Sequence, residues 1–240
     1  MRRVRGLIML TIVLAALVLG GLALRDYARR HPQDLPWTAL DLRQPVGNFT
    51  GRKLAGLAAD APRCRALLAQ AGAAFSALPS RREGAQCGHV DAVRFGAREI
   101  GYRPADLGLA CPLAAALIVW EREVVQAAAQ RHFGRRVAAI DHYGGYNCRR
   151  MYGRGEGAWS EHATANALDV AAFRLADGTR ISVLNDWRDQ GAKGRFLREV
   201  RDGGCGLFAT TLSPDYNAAH RDHLHLDQAR RGEWGWRACR

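Results

Sequence analysis

Lysine is nearly absent from this chain. Of 35 lysine and arginine residues only Lys53 and Lys193 are lysine, so arginine carries the formal charge of +12. An anionic partner and the base composition of the genome are both sources of such a bias, and it does not separate them. Other absences exclude more. No C-x-x-C pair occurs, which argues against a cysteine zinc or redox centre. No cysteine stands directly after the N-terminal apolar run, so a lipoprotein anchor is excluded. There is no internal repeat, no low-complexity segment and no nucleic-acid recognition motif. Nucleic acid is therefore not an expected partner.

What is present begins with a basic flank, Met1-Arg2-Arg3-Val4-Arg5, and an uncharged apolar run from Leu7 to Leu24. About 18 helical residues span roughly 27 Å, close to a bilayer's hydrocarbon core. A secretory signal peptide is the rival reading, but no small-residue cleavage box follows Leu22-Ala23-Leu24. The expected organisation is a cytoplasmic flank (1–6), a transmembrane anchor (7–24), a proline-punctuated tether (25–50) and one domain (51–240). Arg2, Arg3 and Arg5 place the N-terminus in the cytoplasm, giving a single-pass inner-membrane protein whose domain faces the periplasm. All six cysteines lie after the span, and an even count outside the cytoplasm implies disulfides. Fifteen pairings are open to six cysteines. The expected one joins neighbours in sequence: Cys64 with Cys87, Cys111 with Cys148, Cys205 with Cys239.

Apolar spacing predicts a helix around residues 61–77 and a strand from Val90 to Phe95. A helix opens at Pro112, carries Leu113, Leu117, Trp120, Val124 and Ala128 on one face, and stops at Gly134. Val137 to Ile140 reads as a buried strand, before a glycine-rich turn at 142–150. Leu168 to Phe173 and Ile181 to Leu184 form a hairpin around Asp177-Gly178. A helix is expected over 188–201, with short strands at Leu207-Phe208 and Leu224-Leu226. The fold class is α+β, a small, mostly antiparallel sheet carrying the polar clusters and flanked by helices.

Two knots of polar residues carry the chemistry: Ser160 to Asp169, and His220 to Asp227. A catalytic zinc site takes three protein ligands and keeps one position open, and His162, Asp169 and His225 make such a set. On a strand, Asp169 shares its face with Ala167 and Ala171, which leaves room for an ion. His223 and His225 share one face while Leu224 and Leu226 take the other. Bound Zn²⁺ brings the pKa of its water to about 7. Asp222 is the expected base, provided the strand starts near it, and His223 the expected oxyanion stabiliser. The competing reading is a solvated polar edge that binds no metal. Ser160 either caps its loop or binds substrate. His142 either lines the cleft or is structural, and His220 sits behind the ligands. His31, His89 and His132 are read as structural or exposed.

The pattern Ser160-x-His162-x-x-Ala165-x-Ala167-x-Asp169, followed by Asp222-x-x-His225, resembles the D-alanyl-D-alanine carboxypeptidases and related zinc peptidoglycan peptidases. Three stretches more closely resemble the bacterial extensin-like C-terminal domain family: Tyr146-Asn147-Cys148-Arg149, Ser160 to Thr164, and Tyr216 to Asp227. That resemblance covers roughly residues 45–240. It implies a zinc site of His162, Asp169 and His225, with Asp222 as base. Arg149 matches an arginine that holds the substrate carboxylate in the carboxypeptidases, a task suited to its planar fork. One departure is Ala165, where the superfamily has glycine; if that residue needs φ > 0, alanine costs about 1 kcal/mol. The expected function is a membrane-anchored periplasmic zinc hydrolase of amide bonds in peptidoglycan stem peptides, of D,D-carboxypeptidase or endopeptidase type. The alternatives are a non-hydrolytic zinc-containing wall-binding or scaffold protein, and a purely structural envelope protein.

Overall fold

A computed structural model describes residues 2–231 and 237–240. Met1, in the expected flank, and residues 232–236, within the expected domain, lie outside the described residues. Helix α1 (Arg2–Arg30) is long and apolar enough to cross a membrane, and none of its apolar window is buried by the rest of the chain. An anchor and a signal sequence share that property. After it, Leu40 and Leu42 enter the core. The Arg122 guanidinium holds the Leu42 carbonyl at 2.7 Å and that of Gln44 at 3.2 Å.

Two short helices follow, α2 (Thr50–Ala55) and α3 (Ala61–Gln70). The Asp60 carboxylate caps α3 by accepting from Arg63 N at 3.0 Å. The helix expected to reach residue 77 stops seven residues early. Gly72 turns left-handed at φ 74°, and Phe75–Ala77 becomes strand β1. Next come β2 (Arg81–Glu83), β3 (Cys87–His89), β4 (Ala92–Phe95), β5 (Gly101–Arg103) and β6 (Gly108–Ala110). Strands β1, β4 and β6 form one small sheet, and β2 with β3 a hairpin.

The long helix forms as expected, with one irregularity. It runs as α4 (Cys111–Trp120), a π-helical turn (Glu121–Gln126) and α5 (Ala127–Phe133), ending at left-handed Gly134. The wider turn shifts the register of the apolar face. Val125, not the expected Val124, is therefore fully buried.

The central sheet holds β7 (Val137–His142), β8 (Ala167–Leu175), β9 (Arg180–Ser182), β10 (Thr210–Leu212), β11 (Leu224–Asp227) and β12 (Ala238–Cys239), together with β5. Its path is β12-β10-β11-β8-β7-β5, with β9 also paired to β8. The β5–β7 and β10–β12 pairs are parallel and the rest antiparallel. This is the mixed, mostly antiparallel α+β arrangement expected. Short α6 (Val183–Asp186) follows β9, so the hairpin partner ends two residues before the expected Leu184. Helix α7 (Ala192–Cys205) begins four residues after the expected position 188, because Asp189 spends its carboxylate on the Gly191 and Gly194 amides. Leu207 and Phe208 are buried in the turn after α7 rather than in a strand, since their amides return to the Gly204 carbonyl.

The core lies between the sheet and the long helix. Trp120 sits 5.9 Å from both Phe173 and Phe208, measured between ring centroids, and donates its indole N–H to the Val200 carbonyl at 3.1 Å.

Three disulfides close the domain: Cys64–Cys111, Cys87–Cys148 and Cys205–Cys239. Only the last matches the expected pairing. Cys64 lies on α3, which packs on α4 beside Cys111, whereas Cys87 lies on a hairpin over the loop of Cys148. Packing of elements, not nearness along the chain, selects the partners.

Candidate metal centre

Strand register builds the heart of the site. In the antiparallel β8–β11 pair, Asp169 stands directly opposite His225. Opposed Cβ atoms lie about 5 Å apart, so an aspartate and a histidine there meet. Asp169 Oδ1 is 2.8 Å from His225 Nδ1. Ala167 and Ala171, the same-face neighbours of Asp169, are buried and small.

His162 arrives from a different device. Ser160 caps a short 3-10 turn (Glu161–Thr164), its Oγ accepting from the His162 amide at 3.3 Å. Asn147 N binds the His162 carbonyl at 2.9 Å. Ala165 then adopts φ 56°, ψ 21°, returning the chain to β8. The position is thus left-handed, as a glycine would favour, and alanine holds it at a cost of about 1–2 kcal/mol.

Each imidazole has one nitrogen engaged and the other turned to the carboxylate. His162 Nδ1 lies 3.0 Å from the Gly145 carbonyl. A side chain at Gly145 would meet Gly108 O at 2.8 Å and Leu109 Cδ2 at 2.9 Å, so glycine is required there. His162 Nε2, 3.2 Å from Asp169 Oδ2, is buried without a directed hydrogen bond. His225 Nε2 contacts Asp227 Oδ2 at 3.1 Å, leaving Nδ1 toward Asp169. Ring nitrogens oriented by a carbonyl and a carboxylate are the usual support of metal-ligating histidines.

One donor atom from each of His162, Asp169 and His225 lies within 4.8 Å of the others. A lone pair facing a carboxylate in a buried site calls for a cation between them, and a proton or a metal ion satisfies it. The residues present therefore fit a metal ion, and their nitrogen and oxygen donors suit zinc among several divalent ions.

Without metal the proton fills this place. Burial opposes a charged His225, but hydrogen bonds to Asp169 and Asp227 outweigh it and push its pKa up to about 9. Burial likewise opposes ionisation of Asp169, yet the His162 and His225 rings hold its carboxyl well below the usual carboxylate range. The raised His225 pKa stabilises the fold fully below its unfolded value near 6.5, and that stability is lost as pH rises through about 9. We expect chelator-treated protein to lose on the order of 3 kcal/mol across that window. Added zinc should flatten the loss, as urea unfolding at successive pH values would read; a pH-independent metal-free protein would exclude this arrangement.

Around the cluster runs a cleft of about 470 Å³ lined by Arg149, Tyr152, Trp159, Ser160, His220 and His223, among others. His223 Nε2 stands 3.5 Å from Asp169 Oδ1, while Nδ1 is 2.9 Å from Asp222 Oδ1. β11 starts at Leu224, and Asp222, in the preceding turn, reaches the cluster through His223. His220 contacts Asn217 Oδ1 at 2.7 Å; burial and the His223 and His225 rings lower its pKa to about 4. Arg149 lines the wall and, among the described residues, forms no ion pair. Its carbonyl accepts from Ser160 N at 3.1 Å, so this residue and the cap are neighbours. His142 turns instead to the Pro104 carbonyl at 2.8 Å and is structural.

Asp227, Gly145 and the flap over 150–159 have no role in the sequence reading. The alternation of Asp227 with His225 on a strand is a signal for the first. No local signal marks the Gly145 carbonyl, because its use depends on a loop crossing.

No curated protein and no solved structure matches this chain significantly. Residues 62–240 match the family described as Extensin-like protein C-terminus. That span contains both histidine-bearing knots, the three disulfides and the cleft, and the chain belongs to the extensin-like C-terminal family.

Proposed function

We propose that this protein is a membrane-anchored, periplasm-facing zinc hydrolase of amide bonds in peptidoglycan stem peptides, acting as a D,D-carboxypeptidase or endopeptidase. The observation that carries the reading is the set of two imidazole lone pairs and one buried carboxylate on the floor of an arginine-walled cleft. His162, Asp169 and His225 would hold the ion. Zinc there supplies Lewis acidity toward a carbonyl and an acidified water.

The chain's own groups do the remaining work. His223 Nε2 faces the cluster with Asp222 behind its Nδ1, so His223 rather than the expected Asp222 takes the proton of the attacking water. Asp222, 2.9 Å from Nδ1, fixes the tautomer and stabilises the imidazolium. The same nitrogen then returns the proton to the leaving amine. Arg149 offers its fork to a substrate carboxylate. Tyr152 and Trp159 give the substrate an apolar wall. Helix α1 and the three disulfides support an exported, anchored domain.

The test is digestion of purified sacculi by zinc-loaded protein, with muropeptides profiled afterwards. Loss of cross-linked dimers would indicate an endopeptidase, and loss of terminal D-alanine a carboxypeptidase. His223→Ala should keep its zinc and lose about 10²–10⁴-fold in rate. An unchanged muropeptide profile from zinc-replete protein would overturn hydrolysis and leave a zinc-containing wall-binding protein.

A further inference from the structure

Three arginines line the cleft and three more lie in segments that contribute to its lining, and among the described residues none of the six is ion-paired. Arg149, Arg230 and Arg231 line its walls. Arg150 and Arg154 belong to the flap between Arg149 and Trp159, and Arg221 to the turn between His220 and His223. Elsewhere arginine is commonly matched to acid, as where Arg174 and Arg180 share Asp141.

Neutral partners hold several of these six in place. Arg150 donates to the Gly157 carbonyl and lies 4.6 Å over the Trp159 ring. Arg154 lies 5.4 Å over Tyr152. Arg221 reaches the Ala218 carbonyl at 3.3 Å. Arg231 sends Nε and Nη2 to Thr210 Oγ1 at 3.2 and 2.6 Å. Such contacts preorganise the guanidinium without neutralising it.

The nearby acids are otherwise engaged. Asp169, Asp222 and Asp227 are turned to histidines, and Glu161 to Asn166 at 2.7 Å. Glu156 in the flap is the exposed exception.

We infer that this arginine collar is a docking surface for a carboxylate-rich polymer, namely peptidoglycan whose stem peptides carry free rather than amidated carboxylates. The choice of polymer rests on the proposed function; the binding itself requires no hydrolysis. Charge complementarity is the argument. Six guanidinium groups without acidic partners among the described residues, four of them held by neutral contacts, stand in and beside a cleft large enough for a short peptide, and a guanidinium pairs bidentately with a carboxylate but not with a carboxamide.

The experiment is sedimentation of the full chain, in neutral detergent and chelator, with native sacculi and with sacculi whose carboxyl groups have been converted to amides. Native sacculi should retain the protein, and amidated sacculi should retain it about tenfold less. Arg230→Gln with Arg231→Gln should cut retention on native sacculi by about threefold or more and leave the amidated background unchanged. Equal retention on both sacculi would overturn the inference, as would an equal effect of the substitutions on both. Replacing part of the detergent with phosphatidylglycerol should leave the protein on the sacculi. Its release would make the collar a lipid-binding surface and also overturn the inference. Since metal is withheld, binding without cleavage in the digestion experiment would sink only the hydrolase, and cleavage indifferent to amidation only the collar.

Discussion

Asp169→Ala is expected to abolish stoichiometric zinc and, with it, any hydrolysis. Asp169 touches all three imidazoles of the centre, His162 at 3.2 Å, His223 at 3.5 Å and His225 at 2.8 Å. Groups that merely orient a ligand are worth about 10–100-fold in metal affinity, so deleting a ligand should cost more than about 100-fold. Zinc per chain, read by elemental analysis after dialysis, should fall from about one to below about a tenth. The truncation also leaves His225 Nδ1 buried without its acceptor, and the His225 pKa should fall. Loss of the alkaline destabilisation described above would be the second readout. Asp169→Asn keeps the shape while removing the charge and separates the two effects. It should remain folded and lose zinc. Retention of zinc by Asp169→Asn would place the metal elsewhere.

Removing the Cys64–Cys111 bridge should cost about 4 kcal/mol. It closes a loop across a sequence separation of 47, and chain entropy assigns a loop of that length about this value. Both cysteines are completely buried between α3 and α4, so serine in their place would add unsatisfied hydroxyls; Cys64→Ala with Cys111→Ala is the cleaner pair. Urea unfolding should show the lowered midpoint. Peptide mapping of the non-reduced protein should find Cys87 still bonded to Cys148. A peptide joining Cys64 to Cys87 in the parent protein would contradict the architecture, because β3 and α3 would then have to meet.

Much of the fold is readable one element at a time. The long helix declares itself through Pro112, its apolar spacing and Gly134. β8 declares itself through a largely apolar run, β11 through alternation of histidine and leucine, and the hairpin through Asp177-Gly178. These features depend on neighbours a few residues away, and short-range sterics and burial periodicity write them into the local sequence. The failures are equally specific. The helix that starts at Ala61 ends at Gln70, where left-handed Gly72 just beyond outweighs a continuing apolar pattern. The π turn exchanges Val124 for Val125, a rotation that no 3.6-residue template contains. Two of three disulfides join cysteines that are not nearest in sequence, since α3 lies against α4.

For the centre, the sequence alone determined the residue types and their order: a histidine and an aspartate seven residues apart, then alternating histidines before Asp227. Tertiary structure decided how they meet. The β8–β11 register sets Asp169 opposite His225, and the Gly145 carbonyl reaches His162 from a loop anchored by Cys87–Cys148. The same packing turns Asp222 onto His223 and brings Arg149 together with Arg230 and Arg231, from two distant segments, in one cleft wall. Ligand chemistry is a property of side chains and survives in a one-dimensional string. Distance and direction arise when strands pair and loops cross, and those long-range contacts leave no local periodicity to read.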